Sequence, residues 1–128
     1  MEIYEDYVVH TSLPHIFSAF DNVISNAIKY SYANGIIRIF AKDLGHQIAV
    51  YITDTGIGLT QSELKRIFEP FFKADPSRHD RSSSGLGLSV TKRLIQVVGG
   101  SISLHSEGPG RGTEVEIRLN KLYIYDKI

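Results

Sequence analysis

The order of helical and extended patterns along the chain is what most limits the fold that it can adopt. Apolar residues recur at helical spacing over 13–31, and Asn34-Gly35 ends that helix. Two extended segments follow, at 36–42 and 47–53. The four residues between them form a turn, so this part of the chain predicts a β-hairpin.

The second half of the chain repeats this mixture of elements. Thr60 and Glu63 form a capping box that predicts a short helix through Phe68. The other predicted elements are an edge strand at 2–9, a helix at 86–98 and strands at 101–106 and 113–119. Helices and antiparallel strands therefore interleave without regular βαβ units. We predict an α/β (α+β) two-layer sandwich, with a mixed, mostly antiparallel sheet and about three helices on one face.

Charge and cysteine content exclude several classes of function. Lysine plus arginine equals aspartate plus glutamate at 14 each, so a nucleic-acid or anionic-membrane surface is not expected. The chain has no cysteine, which removes thiol nucleophiles and zinc-thiolate sites. The N-terminus has no signal-peptide pattern and no apolar run reaches membrane-span length. We expect one cytoplasmic domain over 1–128, with its motifs in 14–119, whose parent protein can still be membrane-anchored.

Three polar residues, Asn22, Asn26 and Lys29, form a stripe on the first helix, and at ~100° per residue the stripe lies opposite the apolar face. A solvated helix face is the simpler interpretation. Asparagine is a poor helix former, however, so two of them one turn apart are an unusual choice for a surface. Amide oxygens are suitable ligands for Mg²⁺, and the lysine is suited to a phosphate. The stripe is therefore a candidate metal and phosphate site.

Two glycine-rich segments are candidate ligand loops. Asp54-Thr55-Gly56-Ile57-Gly58 directly follows a strand, so its carboxylate can accept a hydrogen bond from an exocyclic amine such as that of adenine. An ordinary Asp-x-Gly turn is the alternative. Gly85-Leu86-Gly87-Leu88 leads into the third helix, where unpaired N–H groups favour phosphate oxygens, although a flexible hinge would look the same. Aromatic residues between the two segments are either core or anchors of a lid at 74–84: Phe68, Phe71 and Phe72.

The order of the motifs is more specific than any one of them. Segments 26–31, 54–59, 68–72, 85–88 and 110–113 closely resemble the N, G1, F, G2 and final glycine boxes of sensor histidine kinases. The resemblance implies the Bergerat ATP-binding fold of that superfamily. It also implies ATP and Mg²⁺ as cofactors and transfer of the γ-phosphoryl group to a histidine.

The resemblance assigns a role to each matching position. Asn26 would bind Mg²⁺ and, with Lys29, serve catalysis, while Asp54 would accept the adenine amine. The remaining residues assigned to the ATP site are Asn22, Tyr30, Gly56, Gly58, Phe68, Phe72, Gly85, Leu86, Gly87, Leu88 and Thr113. Phe71 would help to set the lid.

Some family features are absent from the chain. Related ATPases and anti-sigma-factor kinases carry a glutamate base at the position of Asn22, which cannot take a proton. Ser83 replaces a frequent glycine, and no histidine has the context of the phosphoacceptor box. The histidine would therefore lie on a separate dimerisation domain, and a response regulator would receive the phosphoryl group indirectly. We expect a monomer. A degenerate nucleotide-binding or interaction module and an anti-sigma-type serine kinase are the alternatives.

Overall fold

The computed structural model describes residues 13–72 and 87–121. The elements in these ranges are α1 (Leu13–Lys29), β1 (Ile37–Asp43), β2 (Gln47–Asp54), α2 (Gln61–Arg66), α3 (Gly87–Val97), β3 (Ser101–His105) and β4 (Thr113–Asn120). The predicted edge strand at 2–9, the lid at 74–84 and the chain after 121 lie outside the described residues. No helix in the described ranges has the length and hydropathy of a membrane span.

The four described strands form one sheet in the order β1-β2-β4-β3. All three pairings are antiparallel. Helices α1 and α3 pack against each other, α1 also contacts β2, and α3 also contacts β3. The predicted α/β sandwich is therefore confirmed.

Alternation along the strands places one apolar face against the helices, because successive side chains point to opposite faces of a sheet. The register aligns Ile39 with Ile52, and Ile52 with Val115. These residues join the buried core with residues from both helices and from the end of β4: Ala19, Val23, Ala27, Ile95, Ile117 and Leu119. Burying a side chain of this size contributes about 1.5–3 kcal/mol.

The predicted hairpin and capping box are both present. The hairpin turn contains Gly45 at φ +94°, and its N–H donates to Oδ1 of Asp43 at 2.8 Å. Helix α2 is capped by Thr60 with Glu63 as predicted, but it ends at Arg66 rather than continuing through Phe68. Its last turn tightens, with the Glu69 N–H donating to the Arg66 carbonyl at 2.9 Å, because Pro70 cannot continue the helix.

The buried stripe of α1 differs from the predicted apolar face. Phe17 and Ile28 belong to the apolar residues that recur at helical spacing in 13–31, yet in the described structure they are 72% and 62% exposed. Ala19, Val23 and Ala27 are buried in the core, and Ile16, Phe20 and Ile24 are partly buried against it. The prediction that Asn26 lies opposite the buried face is therefore wrong, because the buried Val23 and Ala27 lie beside it on the helix.

Candidate nucleotide site

A cleft of about 900 Å³, counting its solvent-open part, lies between α1, the start of α3 and the sheet end where β2 stops and β4 begins. Its lining residues are Val23, Asn26, Ala27, Tyr30, Asp54, Ile57, Gly58, Leu59, Ile67, Phe72, Gly87, Leu88, Leu104, Thr113 and Val115. The walls are mainly apolar and carry a few polar groups.

Among the lining residues that the structure describes, Asp54 is the only one with an ionisable side chain apart from the Tyr30 phenol. It is the last residue of β2 and lies opposite Thr113, the first residue of β4. Burial raises the pKa of its carboxyl, and hydrogen bonds from the backbone N–H groups of Gly56 and Thr113 oppose that rise. The Gly56 bond is 2.8 Å long. Two backbone donors thus fix a half-buried carboxylate that still faces the cleft.

Glycine is required in this wall because the backbone segments touch. A Cβ on Gly56 would overlap the Tyr30 carbonyl, and a Cβ on Gly58 would overlap the Gly108 carbonyl. Gly58 also has φ +68°, a conformation that disfavours other residues. The Asp54–Gly58 turn is therefore held between the end of α1 and the loop before β4.

The opposite end of the cleft is formed by α1 and the start of α3. Asn26 lines the cleft, and its Nδ2 lies 4.0 Å from the position that a Cβ on Gly87 would take. Gly87 is the first residue of α3, where N–H groups lack partners within the helix. An amide side chain and a helix N-terminus thus face the same space. Gly85 and Leu86 lie outside the described residues.

Four of the predicted site residues that the structure describes do not line the cleft: Asn22, Lys29, Gly56 and Phe68. Lys29 is exposed, with its Nζ 5.6 Å from the ring centroid of Tyr30, so it lies next to a lining residue. Asn22 is half-buried on α1, one turn before Asn26. Phe68 lies outside the cleft, and the Lys92 Nζ is 4.8 Å from its ring centroid.

Several lining residues were not predicted: Val23, Ala27, Ile57, Leu59, Ile67, Leu104 and Val115. Val23, Ala27 and Val115 belong to the core, and the same side chains that close the core also form the apolar floor of the cleft. In the sequence their pattern indicates core packing only. Ile57 and Leu59 lie within or beside the Asp54–Gly58 segment, so the motif that predicted a ligand loop there could have indicated these two residues as well.

The described residues contain no group of three or more histidine, aspartate or glutamate side chains arranged for a metal ion. A cation in this cleft would therefore depend on Asn26 and on oxygen atoms of a bound ligand. Mg²⁺ accepts such an arrangement, because it commonly takes few protein ligands together with substrate phosphates and water.

The sequence over residues 11–122 matches the family described as histidine kinase-, DNA gyrase B-, and HSP90-like ATPases. The chain belongs to this family. Its relatives narrow the assignment to the sensor-kinase branch. The autoinducer 2 sensor kinase/phosphatase LuxQ of Vibrio vulnificus is 37% identical over 108 residues, which cover 80% of this chain and 13% of LuxQ.

Solved structures agree with this assignment. The mycobacterial sensor histidine kinase MprB superposes with a TM-score of 0.80 at 28% identity, covering 88% of this chain and 76% of that chain. Full-length ShkA, solved in complex with AMPPNP, gives a TM-score of 0.70 at 25% identity over 84% of this chain and 22% of that chain. The protein is therefore a catalytic ATP-binding domain of the histidine-kinase type. It spans a small part of the curated relatives that it matches.

Proposed function

We propose that this domain binds ATP in the cleft and donates the γ-phosphoryl group to a histidine on a separate dimerisation and phosphoacceptor domain of the same kinase. The observation that carries the proposal is the arrangement of the cleft. A half-buried carboxylate, Asp54, lies at one end, and Asn26 faces the N-terminus of α3 at the other. The AMPPNP complex of ShkA supports ATP as the nucleotide.

The adenine base would lie at the Asp54 end of the cleft. The carboxylate would accept a hydrogen bond from the exocyclic amine of adenine, and the Thr113 hydroxyl would complete that end directly or through a water. Gly56 and Gly58 allow close packing of this wall against the Tyr30 and Gly108 carbonyls, and they would shape it for a flat ring. The side chains of Tyr30 and Phe72, which line the cleft, would bound the nucleotide, and Phe68 would support Phe72 from outside.

The phosphates would lie at the Asn26 end. Backbone N–H groups of the segment 85–88 would bind phosphate oxygens at the start of α3, where the helix dipole also favours negative charge. The Asn26 amide oxygen would hold Mg²⁺, supported by Asn22 one turn earlier, and Lys29 would approach a phosphate from the rim. Bound Mg²⁺ would neutralise phosphate charge; the fit to this site depends on Asn26 together with ligand oxygens.

Catalysis would come mainly from positioning, because phosphoryl transfer needs little covalent help from protein groups. Asn22 cannot act as a general base, which is consistent with a histidine acceptor whose ring nitrogen is itself the nucleophile. No histidine in the described ranges lines the cleft, so the acceptor would come from another domain. We further propose that a response regulator receives the phosphoryl group afterwards, that this domain alone is a monomer, and that it acts in the cytoplasm.

The experiment is a transfer reaction with γ-labelled ATP, Mg²⁺ and the dimerisation domain of the parent kinase. Label that is lost in acid and kept in base identifies phosphohistidine and supports the proposal. Acid-stable label would indicate a serine kinase instead. Nucleotide binding without any transfer would favour the degenerate module. The presence of Asp54 and Asn26 argues against that alternative.

A further inference from the structure

We infer that Ser106 is a positioning residue that holds the base-binding wall of the cleft in place. Ser106 directly follows β3 and lies outside the lining of the cleft. Its exposure is 2%, and it is one of two polar residues that are buried in the described structure. Hydrogen bonds to the backbone account for the burial of this polar side chain.

The Ser106 hydroxyl joins two loops, the turn after β2 and the loop between β3 and β4. Its Oγ accepts from the Leu59 N–H at 3.0 Å and from the Gly108 N–H at 3.2 Å. Its proton is donated to the Gly112 carbonyl at 2.7 Å, and the Gly108 carbonyl lies farther away at 3.3 Å. A serine hydroxyl has one donor and two acceptor positions, so all three are used. No other residue type of this size can make the same three contacts.

Both loops carry the groups that surround Asp54. Leu59 follows Gly58 in the turn after β2, and both line the cleft. Gly112 precedes Thr113, whose backbone N–H donates to the Asp54 carboxyl. The position of that donor therefore depends on how Gly112 is held.

Backbone hydrogen bonds connect the same two loops. The Gly110 N–H donates to the Ile57 carbonyl at 2.7 Å, and the Gly112 N–H donates to the Gly56 carbonyl at 3.1 Å. The Ser106 hydroxyl adds side-chain hydrogen bonds that connect the same loops, from the Leu59 N–H and to the Gly112 carbonyl. Removing it would leave the buried Leu59 N–H, the partly buried Gly108 N–H and the Gly112 carbonyl without this partner. The loops would then be free to separate and to draw Thr113 away from Asp54.

This inference rests on the proposed function, because it concerns recognition of the adenine base. A wall that has shifted at Asp54 would lose contacts to the base, while the phosphate end, formed by α1 and α3, would be unaffected. The variant should therefore lose discrimination between nucleotides as well as affinity. A purely structural defect would lower the folded fraction and reduce binding of all nucleotides equally.

The test is calorimetric titration of Ser106→Ala with ATP and with GTP, at a temperature where circular dichroism shows a folded protein. We expect ATP affinity to fall about tenfold, the size of a lost buried hydrogen bond, and the ratio of ATP to GTP affinity to fall with it. Tyr51→Phe is the matched control. Its hydroxyl bonds Glu116 on the other face of the same sheet, and removal should leave the affinity ratio unchanged. A folded Ser106→Ala protein with the wild-type ratio would overturn the inference.

Two further measurements distinguish a failure of the Ser106 inference from a failure of the proposed function. Ser106→Cys fills the same space with a poor hydrogen-bonding group, so it should behave as Ser106→Ala does; wild-type behaviour would overturn the inference. Amide hydrogen exchange of the wild-type domain needs no nucleotide and no variant, and the Leu59 and Gly108 N–H groups should be protected. Their rapid exchange would also overturn the inference. Wild-type protein that binds neither nucleotide would instead contradict the proposed function.

Discussion

At the scale of single residues, Asp54 combines two opposing influences. Burial disfavours its charged form, whereas the N–H groups of Gly56 and Thr113 favour it, and the net effect raises its pKa above the ordinary value of 3.8. These two donors do not use all the lone pairs of a carboxylate, so the side chain can accept a further hydrogen bond. A bound exocyclic amine would add a third donor and favour the ionised form further.

The raised pKa of Asp54 predicts a particular pH dependence. Because the folded state holds the proton more tightly than the unfolded chain, Asp54 contributes stability that is full below 3.8 and is lost as the pH rises through its folded pKa. A carbon-13 titration of the Asp54 carboxyl should give a midpoint above 3.8, and ATP should lower that midpoint. A midpoint at or below 3.8 without nucleotide would contradict the burial argument.

Gly112 and Gly110 form a matched pair for testing the close contact between the turn after β2 and the loop between β3 and β4. Both have positive φ, +73° and +80°. A Cβ on Gly112 would overlap the Asp54 carbonyl, whereas nothing lies within 4 Å of a Cβ on Gly110. Gly110→Ala should lower the free energy of unfolding by about 1–2 kcal/mol, the cost of left-handed backbone. Gly112→Ala should lower it further. Equal losses in urea titrations would show that the loops do not pack as described.

At the scale of elements, the sequence predicted helices, hairpin and strands well because each has a local cause. The Thr60 and Glu63 capping box and the Asp43–His46 turn are formed by neighbouring residues. The buried stripe of α1 has no such local cause. Phe17 and Ile28 are apolar but exposed in the described structure, so only packing against the sheet shows which residues α1 buries.

The cleft was predictable where its residues belong to the motifs, which include the apolar Phe72 and Leu88, and not where they also belong to the core. Asp54 and Asn26 stood out because each is unusual in its element. Val23 and Val115 serve the core and the cleft together, and a sequence pattern cannot separate the two roles. The backbone conformation of Phe71 could not be predicted from the sequence either. It has φ +67°, the only positive φ of a non-glycine residue in the described ranges, and its side chain is 73% exposed.

Helix α2 should depend strongly on its cap, because it has six residues and none of them is buried. The Thr60 Oγ1 accepts from the Glu63 N–H at 3.1 Å, and Glu63 Oε1 accepts from the Thr60 N–H at 2.8 Å. Thr60→Ala should destabilise the helix locally by about 1 kcal/mol. Exchange of the Leu64 amide would report the change. Ser62→Ala, an exposed position in the same turn, should leave the exchange rate unaltered, and equal effects would contradict the role of the cap.

At the scale of the whole molecule, the proposed function divides nucleotide binding and acceptance of the phosphoryl group between two domains. The cleft lies at one end of the sheet, and its lining in the described ranges includes no histidine and no carboxylate other than Asp54. In the proposed binding mode Asp54 contacts the adenine base and Asn26 lies near the phosphates. The described lining residues then offer no carboxylate or histidine to activate water at the γ-phosphate.

Slow hydrolysis of ATP by the isolated chain follows from this separation. We expect phosphate release with Mg²⁺ and ATP to stay close to the buffer background over many minutes while nucleotide remains bound. Addition of the dimerisation domain should produce acid-labile phosphoprotein. Vigorous multiple-turnover hydrolysis by the chain alone would contradict the account, because it would require a base that the described cleft does not contain.

The central claim is that ATP occupies the cleft with its base at Asp54 and its phosphates at Asn26, and calorimetric titration of ATP with and without Mg²⁺ tests it most directly. The wild-type domain should bind. Asp54→Asn should bind at least about tenfold more weakly, because an amine then meets an amide rather than a carboxylate. Asn26→Asp should retain binding but change its dependence on Mg²⁺. A folded wild-type domain that shows no heat of binding at millimolar ATP would contradict the claim.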